Sequence, residues 1–167
     1  AKLDSFEFTS RKKVNLHASV RSDPGHGENV VGIVEGGDPV LKNEYVALGA
    51  HYDHVGLSTT GTDRINNRAD DGGSGTVALL NIAEALSRGA VRTRRSWIFV
   101  WHAGEEKGLW GSRYFVGHPT VPLDKIVTQL NVDMIGRSKA RNDSAAANAN
   151  LTGPNETYVI GSKMMNT

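Results

Sequence analysis

The sequence contains no cysteine among its 167 residues. Disulfides, thiolate metal sites and a cysteine nucleophile are therefore excluded, and any metal ion has to be held by histidine, aspartate or glutamate. No run of 18 consecutive apolar residues is present, so no membrane-spanning helix is predicted. The formal net charge is only +1, which gives no reason to expect a nucleic acid or a membrane surface as a partner.

The length and the hydropathy pattern predict a single α/β domain over residues 1–167. Residues 45–50 and 96–101 are almost wholly apolar, which is typical of strands buried on both faces of a sheet. A helix is predicted from Ser74, as the N-cap, to Arg88, with Gly89 as its stop signal. A short helix is predicted at 108–116 and further strands at 125–133 and 157–160. The expected fold is a mostly parallel mixed sheet covered by helices.

Alternating polar and apolar residues precede this core. Residues 6–8, 13–20 and 29–35 have the period of exposed antiparallel strands. They predict an N-terminal β-hairpin within about residues 1–36, ahead of a metal-binding α/β core of about residues 44–161.

The metal-binding prediction comes from side chains at the predicted carboxyl ends of three buried strands and in the small-residue loop 67–75. Ligands of open α/β sheets bind outside the carboxyl ends of the strands, so we expect these side chains to form one site. They are His51, Asp53, Asp70, Glu105, Glu106 and Asp133.

Nitrogen and oxygen donors of this kind suit zinc, and two ions about 3.5–4 Å apart need a shared carboxylate. Asp70 is the expected bridge, and the other expected ligands are His51, Glu106 and Asp133. Asp53 is expected to orient the second ring nitrogen of His51. Glu105 is then left as the general base for a metal-bridged water that attacks an amide.

Four ordered blocks carry a resemblance to a known family, at residues 49–54 (GAHYDH), 69–75 (ADDGGSG), 104–115 (GEEKGLWGSRYF) and 131–136 (NVDMIG). Over about residues 29–161 the chain resembles the di-zinc aminopeptidases of metallopeptidase family 28, which are leucyl aminopeptidase-like zinc exopeptidases. The resemblance implies a zinc-exopeptidase fold, peptide substrates, the same residue roles and an extracellular or periplasmic location. It also implies a cis peptide bond between Asp70 and Asp71.

One ligand of the family has no counterpart here. The family has a further histidine well beyond the Asp133 position, whereas this sequence has no histidine after His118. The resemblance therefore implies a chain truncated before the last ligand, with a second zinc site that is weakly occupied and with weak activity on its own. Three alternatives stay open: a longer native chain, a second copy that supplies the missing half by self-association, and a site that is incomplete.

Three function classes stay open at this point. The first is an aminopeptidase; the second is a one-zinc acyltransferase of the glutaminyl-cyclase type; the third is a non-catalytic metal-binding domain. A carboxypeptidase would need a cation for the free carboxylate of its substrate, and Arg64, Arg68 and Arg137 are the candidates. His54 and His102 are either neighbours of the site or packing residues.

Overall fold

A mixed β-sheet with one helix on each face organises the chain. The computed structural model describes residues 12–13, 15–19, 25–67, 69–89 and 91–161. The elements in chain order are β1 (Val30–Val34), β2 (Tyr45–His51), α1 (Gly73–Ser87), β3 (Ser96–His102), α2 (Trp110–Gly117) and β4 (Ile126–Asn131). Short 3-10 turns lie at Leu41–Asn43, Leu123–Lys125 and Ala146–Asn148.

Strands β2, β3 and β4 run parallel, and β1 pairs antiparallel with β3, in the spatial order β1-β3-β2-β4. The register places His51 opposite His102 and Gly49 opposite Asn131. The three parallel strands therefore end at one edge of the sheet. The predicted mostly parallel mixed sheet with helices on its faces is confirmed.

The core has two layers because alternate residues of a strand point to opposite faces. On one face Ile98 and Val100 of β3 pack with Phe115 of α2. On the other face Phe99 and Trp101 pack with Leu79 of α1. The almost wholly apolar sequences of β2 and β3 follow from this burial on both faces.

Helix α1 begins two residues earlier than predicted. Gly72, with φ of +84°, is the N-cap, and no side chain caps the helix. Ser74 lies inside the first turn, where its Oγ donates to the carbonyl oxygen of Asp70 at 2.6 Å. The predicted stop is confirmed, since the helix ends at Ser87 and Gly89 has φ of +72°.

Two strand predictions fail among the described residues. Residues 157–160 form no strand, and Tyr158, Val159 and Ile160 are exposed, because this segment pairs with neither edge strand of the described sheet. Residues 13 and 15–19 form no strand either, and the described partner of β1 is β3. The N-terminal β-hairpin within about residues 1–36 stays a prediction. The predicted strand at 6–8 lies outside the described residues.

The backbone of the described residues contains no cis peptide, so the bond between Asp70 and Asp71 is trans, contrary to the expectation. A cis bond at a residue other than proline costs about 3–4 kcal/mol.

None of the helices in the described part of the chain is long and apolar enough to span a membrane.

Leu79→Ala should lower the free energy of unfolding by about 2–5 kcal/mol, because Leu79 is 0% exposed and its removal leaves a cavity between α1 and the sheet. Leu80→Ala is the matched control: Leu80 is 53% exposed, and we expect a loss of about 0.5 kcal/mol or less. Urea unfolding of both variants measures the difference. Equal losses at the two positions would contradict the assigned packing of α1.

Candidate metal centre

His51 is the buried centre of the site. It is the last residue of β2, and its side chain is 2% exposed. Its Nε2 lies 3.3 Å from Oδ1 of Asp71 and 3.3 Å from Oδ1 of Asp133. The carbonyl oxygen of His51 accepts a hydrogen bond from Thr76 Oγ1 at 2.9 Å, which ties the end of β2 to the first turn of α1.

Asp133 reaches His51 because the chain after β4 continues the ladder and then contacts α1. The backbone N–H of Val132 donates to the carbonyl oxygen of Gly49 at 2.8 Å. The N–H of Gly72 donates to Oδ1 of Asp133 at 3.3 Å. A Cβ at Gly75 would overlap the carbonyl oxygen of Val132, so only glycine allows this approach of α1 to the strand end.

Glu105 and Glu106 lie in a turn after β3 that Asp53 holds. The Asp53 carboxylate accepts hydrogen bonds from the backbone N–H of Gly104 and, at 3.4 Å, of Glu105. Gly104 has φ of +69°, a conformation that favours glycine. Asp53 therefore positions the glutamates, and its predicted contact with the His51 ring stays a prediction.

His54 is a neighbour of the site that the sequence left open. Its Nδ1 lies 2.6 Å from Oε1 of Glu106, and the two side chains are 20% and 24% exposed. The contact joins the loop after β2 to the turn after β3, so His54 orients a predicted ligand.

Three groups of side chains in the described chain could hold a metal ion: His51 with Asp71 and Asp133; His51 with Glu105 and Glu106; and His54 with Asp71 and Glu106. In each group the ligand atoms lie within 4.8 Å of one another. Imidazole nitrogen with carboxylate oxygens is a donor set that zinc accepts. The residues present therefore fit a zinc ion.

A model of the family described as Peptidase family M28 matches residues 29–164 of the chain. The chain belongs to this family. It is 35% identical over 136 residues to leupeptin-inactivating enzyme 1 of Streptomyces exfoliatus, an alignment that covers 81% of this chain and 27% of that protein. It is 42% identical over 108 residues to a probable leucine aminopeptidase 2 of Aspergillus oryzae, covering 64% of this chain and 19% of that protein.

Solved structures agree with the assignment. A zinc aminopeptidase from Bacillus subtilis superposes with a TM-score of 0.52 at 32% identity, covering 65% of this chain and 24% of that one. The predicted family and fold class are thereby confirmed. The chain spans about a quarter of the length of the relatives it matches.

Asp70, the expected bridge, is placed differently from the other predicted ligands of this M28 chain. It belongs to none of the three groups that the described residues form; Asp71 occupies the corresponding place. The Asp70 carboxylate accepts hydrogen bonds from Arg137 Nε and from the Gly136 N–H, each at 2.7 Å, and from Ser74 Oγ at 3.3 Å. The bridging role of Asp70 stays a prediction.

Burial opposes ionisation of Asp70, but the hydrogen bonds from Arg137 and Gly136 and the charge of Arg137 outweigh it. The pKa of Asp70 therefore lies below its usual range. The carboxylate is thus held in its charged form without a metal ion.

A cavity of about 280 Å³ lies beside the site and is lined by His51, His102, Glu105, Gln129 and Asn131, among others. His102 Nδ1 is buried there without a hydrogen-bond partner in the described chain. Burial, with a smaller contribution from His51, lowers the pKa of His102 and favours the neutral ring. His102 also packs edge-on against Phe115, so it serves both the core and the wall of the cavity.

Asp71 and the anchoring role of Asp53 are the features that sequence reasoning missed. The Asp70-Asp71 pair signals that one carboxylate faces the site, but adjacent residues of a loop have no fixed periodicity that would tell which one. The contact of Asp53 with the turn after β3 depends on strand pairing and has no local signal.

Asp70→Asn should reduce the stability of the metal-free protein most strongly near neutral pH. A carboxyl whose pKa is lowered by folding stabilises the folded state at pH values above its pKa in the unfolded chain, which is about 4. This contribution is lost as the pH falls through the lower pKa of the folded protein. The difference in unfolding free energy between wild type and Asp70→Asn should therefore shrink below about pH 4. Urea unfolding with a chelator between pH 3 and pH 7 measures it, and a difference independent of pH would refute the assigned ion pair.

Proposed function

We propose that this chain carries the zinc-binding part of an aminopeptidase site, which removes N-terminal amino acids from peptides by hydrolysis. The observation that supports this most is the convergence of His51 with Asp71, Asp133, Glu105 and Glu106 at the carboxyl edge of the sheet. The leucine aminopeptidases and the zinc aminopeptidase among the relatives support it independently.

The proposed ligands are His51, Glu106, Asp133 and the acidic pair Asp70 and Asp71. Zinc bound by such ligands supplies a Lewis acid that polarises the peptide carbonyl. The group around His51 and the group around His54 share Asp71, and a shared carboxylate is what a pair of ions requires. We therefore include a two-zinc stoichiometry in the proposal, with His54 as a further ligand of the second ion.

Glu105 is the proposed general base. It lies within reach of His51, lines the adjacent cavity, and has its backbone held by Asp53. A carboxylate in this place takes the proton of the attacking water and gives it to the leaving amine. Asp53 acts through Glu105 as a positioning residue, because its carboxylate binds the turn and not the substrate.

The rival functions have less support. None of the contacts of the described residues distinguishes a glutaminyl-cyclase type of acyl transfer, whereas relatives named as aminopeptidases favour hydrolysis. Of the cations that a carboxypeptidase would need, Arg137 is paired with Asp70, and Arg64 donates from Nε to the carbonyl oxygen of Ser58; Arg68 lies outside the described residues. Self-association and an extracellular or periplasmic location stay predictions.

Glu105→Gln should lower the rate of leucine p-nitroanilide hydrolysis by about 10²–10⁴-fold, because the amide cannot accept the proton. The assay uses the protein at its natural length, with zinc bound. Glu84→Gln, on the exposed face of α1, is the matched control and should keep the wild-type rate. Zinc content should be the same in all three proteins, and unchanged hydrolysis in Glu105→Gln would refute the assigned base.

His51→Ala should abolish tight zinc binding by the 167-residue chain, because it removes the nitrogen donor that two of the three groups share. Elemental analysis after dialysis measures the stoichiometry, and circular dichroism checks that the variant is folded. His26→Ala is the control, as His26 is an exposed residue outside these groups. Zinc retained at wild-type stoichiometry in folded His51→Ala would contradict the proposed centre.

A further inference from the structure

The ion pair between Asp70 and Arg137 is not used by the proposed catalytic roles. Arg137 Nε donates to Oδ2 of Asp70 at 2.7 Å. The other carboxylate oxygen, Oδ1, accepts from the Gly136 N–H at 2.7 Å and from Ser74 Oγ. The Asp70 side chain is 14% exposed and the Arg137 side chain is 55% exposed.

We propose that Arg137 competes with the metal for the Asp70 carboxylate. In the metal-free chain Arg137 neutralises Asp70 and keeps it out of the ligand groups; binding of metal at Asp70 requires Arg137 to leave. The inference rests on the proposed function, because it takes the site to be a zinc centre.

The two carboxylate oxygens of Asp70 differ in the charge of their hydrogen-bond donors. Oδ1 is held by neutral donors of the chain, which orient a carboxylate without using its charge. Oδ2 is held by a guanidinium, a charge of the same sign as a metal ion. Arginine is the cationic partner of Asp70, so a cation bound at the same oxygen has to displace it.

Arg137 can leave without releasing the loop after β4. Ile135 N–H still donates to Ser74 Oγ at 3.0 Å, and Gly136 N–H still donates to Asp70. A Cβ at Gly136 would lie 2.9 Å from Ser74 Cβ and 3.0 Å from Asp70 Oδ1, so the backbone itself is packed against the start of α1. The half-exposed Arg137 side chain is free to move into solvent, whereas Asp70 stays in place.

The opposite role, Arg137 as an anchor that positions Asp133, predicts an opposite result. Asp133 has its own contacts, from the Gly72 N–H and with His51, and neither involves Arg137. The structure therefore favours competition. Removal of the guanidinium should tighten zinc binding, whereas removal of an anchor would weaken it.

The test is zinc affinity of the 167-residue chain, measured by competition with a chromophoric chelator. Arg137→Met, which keeps an apolar stem of similar length, should bind zinc about fivefold more tightly than wild type, since a competing half-exposed ion pair is lost. Arg141→Met removes the same charge four residues later and should leave the affinity within about twofold of wild type. In the presence of EDTA, Arg137→Met should melt about 2–4 °C lower, because the metal-free protein loses its ion pair.

A double-mutant cycle shows whether Arg137 affects zinc binding through its contact with Asp70 or only through the long-range repulsion between its positive charge and the metal ion. In the Asp70→Asn background, Arg137→Met should change the zinc affinity by less than about twofold. An undiminished gain in that background would overturn the proposal, as would weaker or unchanged binding by Arg137→Met. If neither wild type nor Arg137→Met binds zinc, the proposed function itself fails and the competition fails with it.

Discussion

The parallel pairing of β2 with β3 on one side and with β4 on the other is the constraint on which the site depends. The register brings His51, the turn after β3 and the loop after β4 to one edge of the sheet. Strands β2 and β3 keep this register because they are almost wholly apolar on both faces and are covered by α1 and α2. A slip of one residue would turn His51 toward the opposite face and break its contacts with Asp71 and Asp133.

The edge so formed concentrates carboxylates, and three of them have identified hydrogen-bond donors. Backbone N–H groups hold Asp53 and Asp133, and a backbone N–H with a guanidinium holds Asp70. Hydrogen bonds to the ionised form offset the repulsion between like charges. Most of the donors are backbone N–H groups of the connecting loops, and three of them belong to Gly72, Gly104 and Gly136. The same arrangement prepares oxygen ligands for a cation, because their orientation is set before it binds.

The sheet could be predicted because its signals are local. Strands β2 and β3 are almost wholly apolar, which predicts burial on both faces. Gly89, with a positive φ, follows the end of α1 and marks where the helix stops. Both signals lie within a few residues of the element that they predict. The strand predicted at 157–160 failed because an apolar segment becomes a strand only when the fold brings it alongside a sheet edge, which is a tertiary property. Ser74 has a typical N-cap residue type, yet Gly72 takes that position and Ser74 contacts Asp70 and Ile135 instead.

The sequence by itself determined the mixed sheet, the membership of the M28 family, and the four segments that supply the candidate site. Those conclusions depend on apolar periodicity and on four ordered blocks, which are properties of the chain read along its length. Only the tertiary structure decided which carboxylate of the Asp70-Asp71 pair faces His51, that Asp53 holds the turn after β3, and that Arg137 neutralises Asp70. These contacts join residues that are 51–67 positions apart, except that Asp71 lies 20 residues after His51, so strand register and loop packing, rather than local sequence, select the partners.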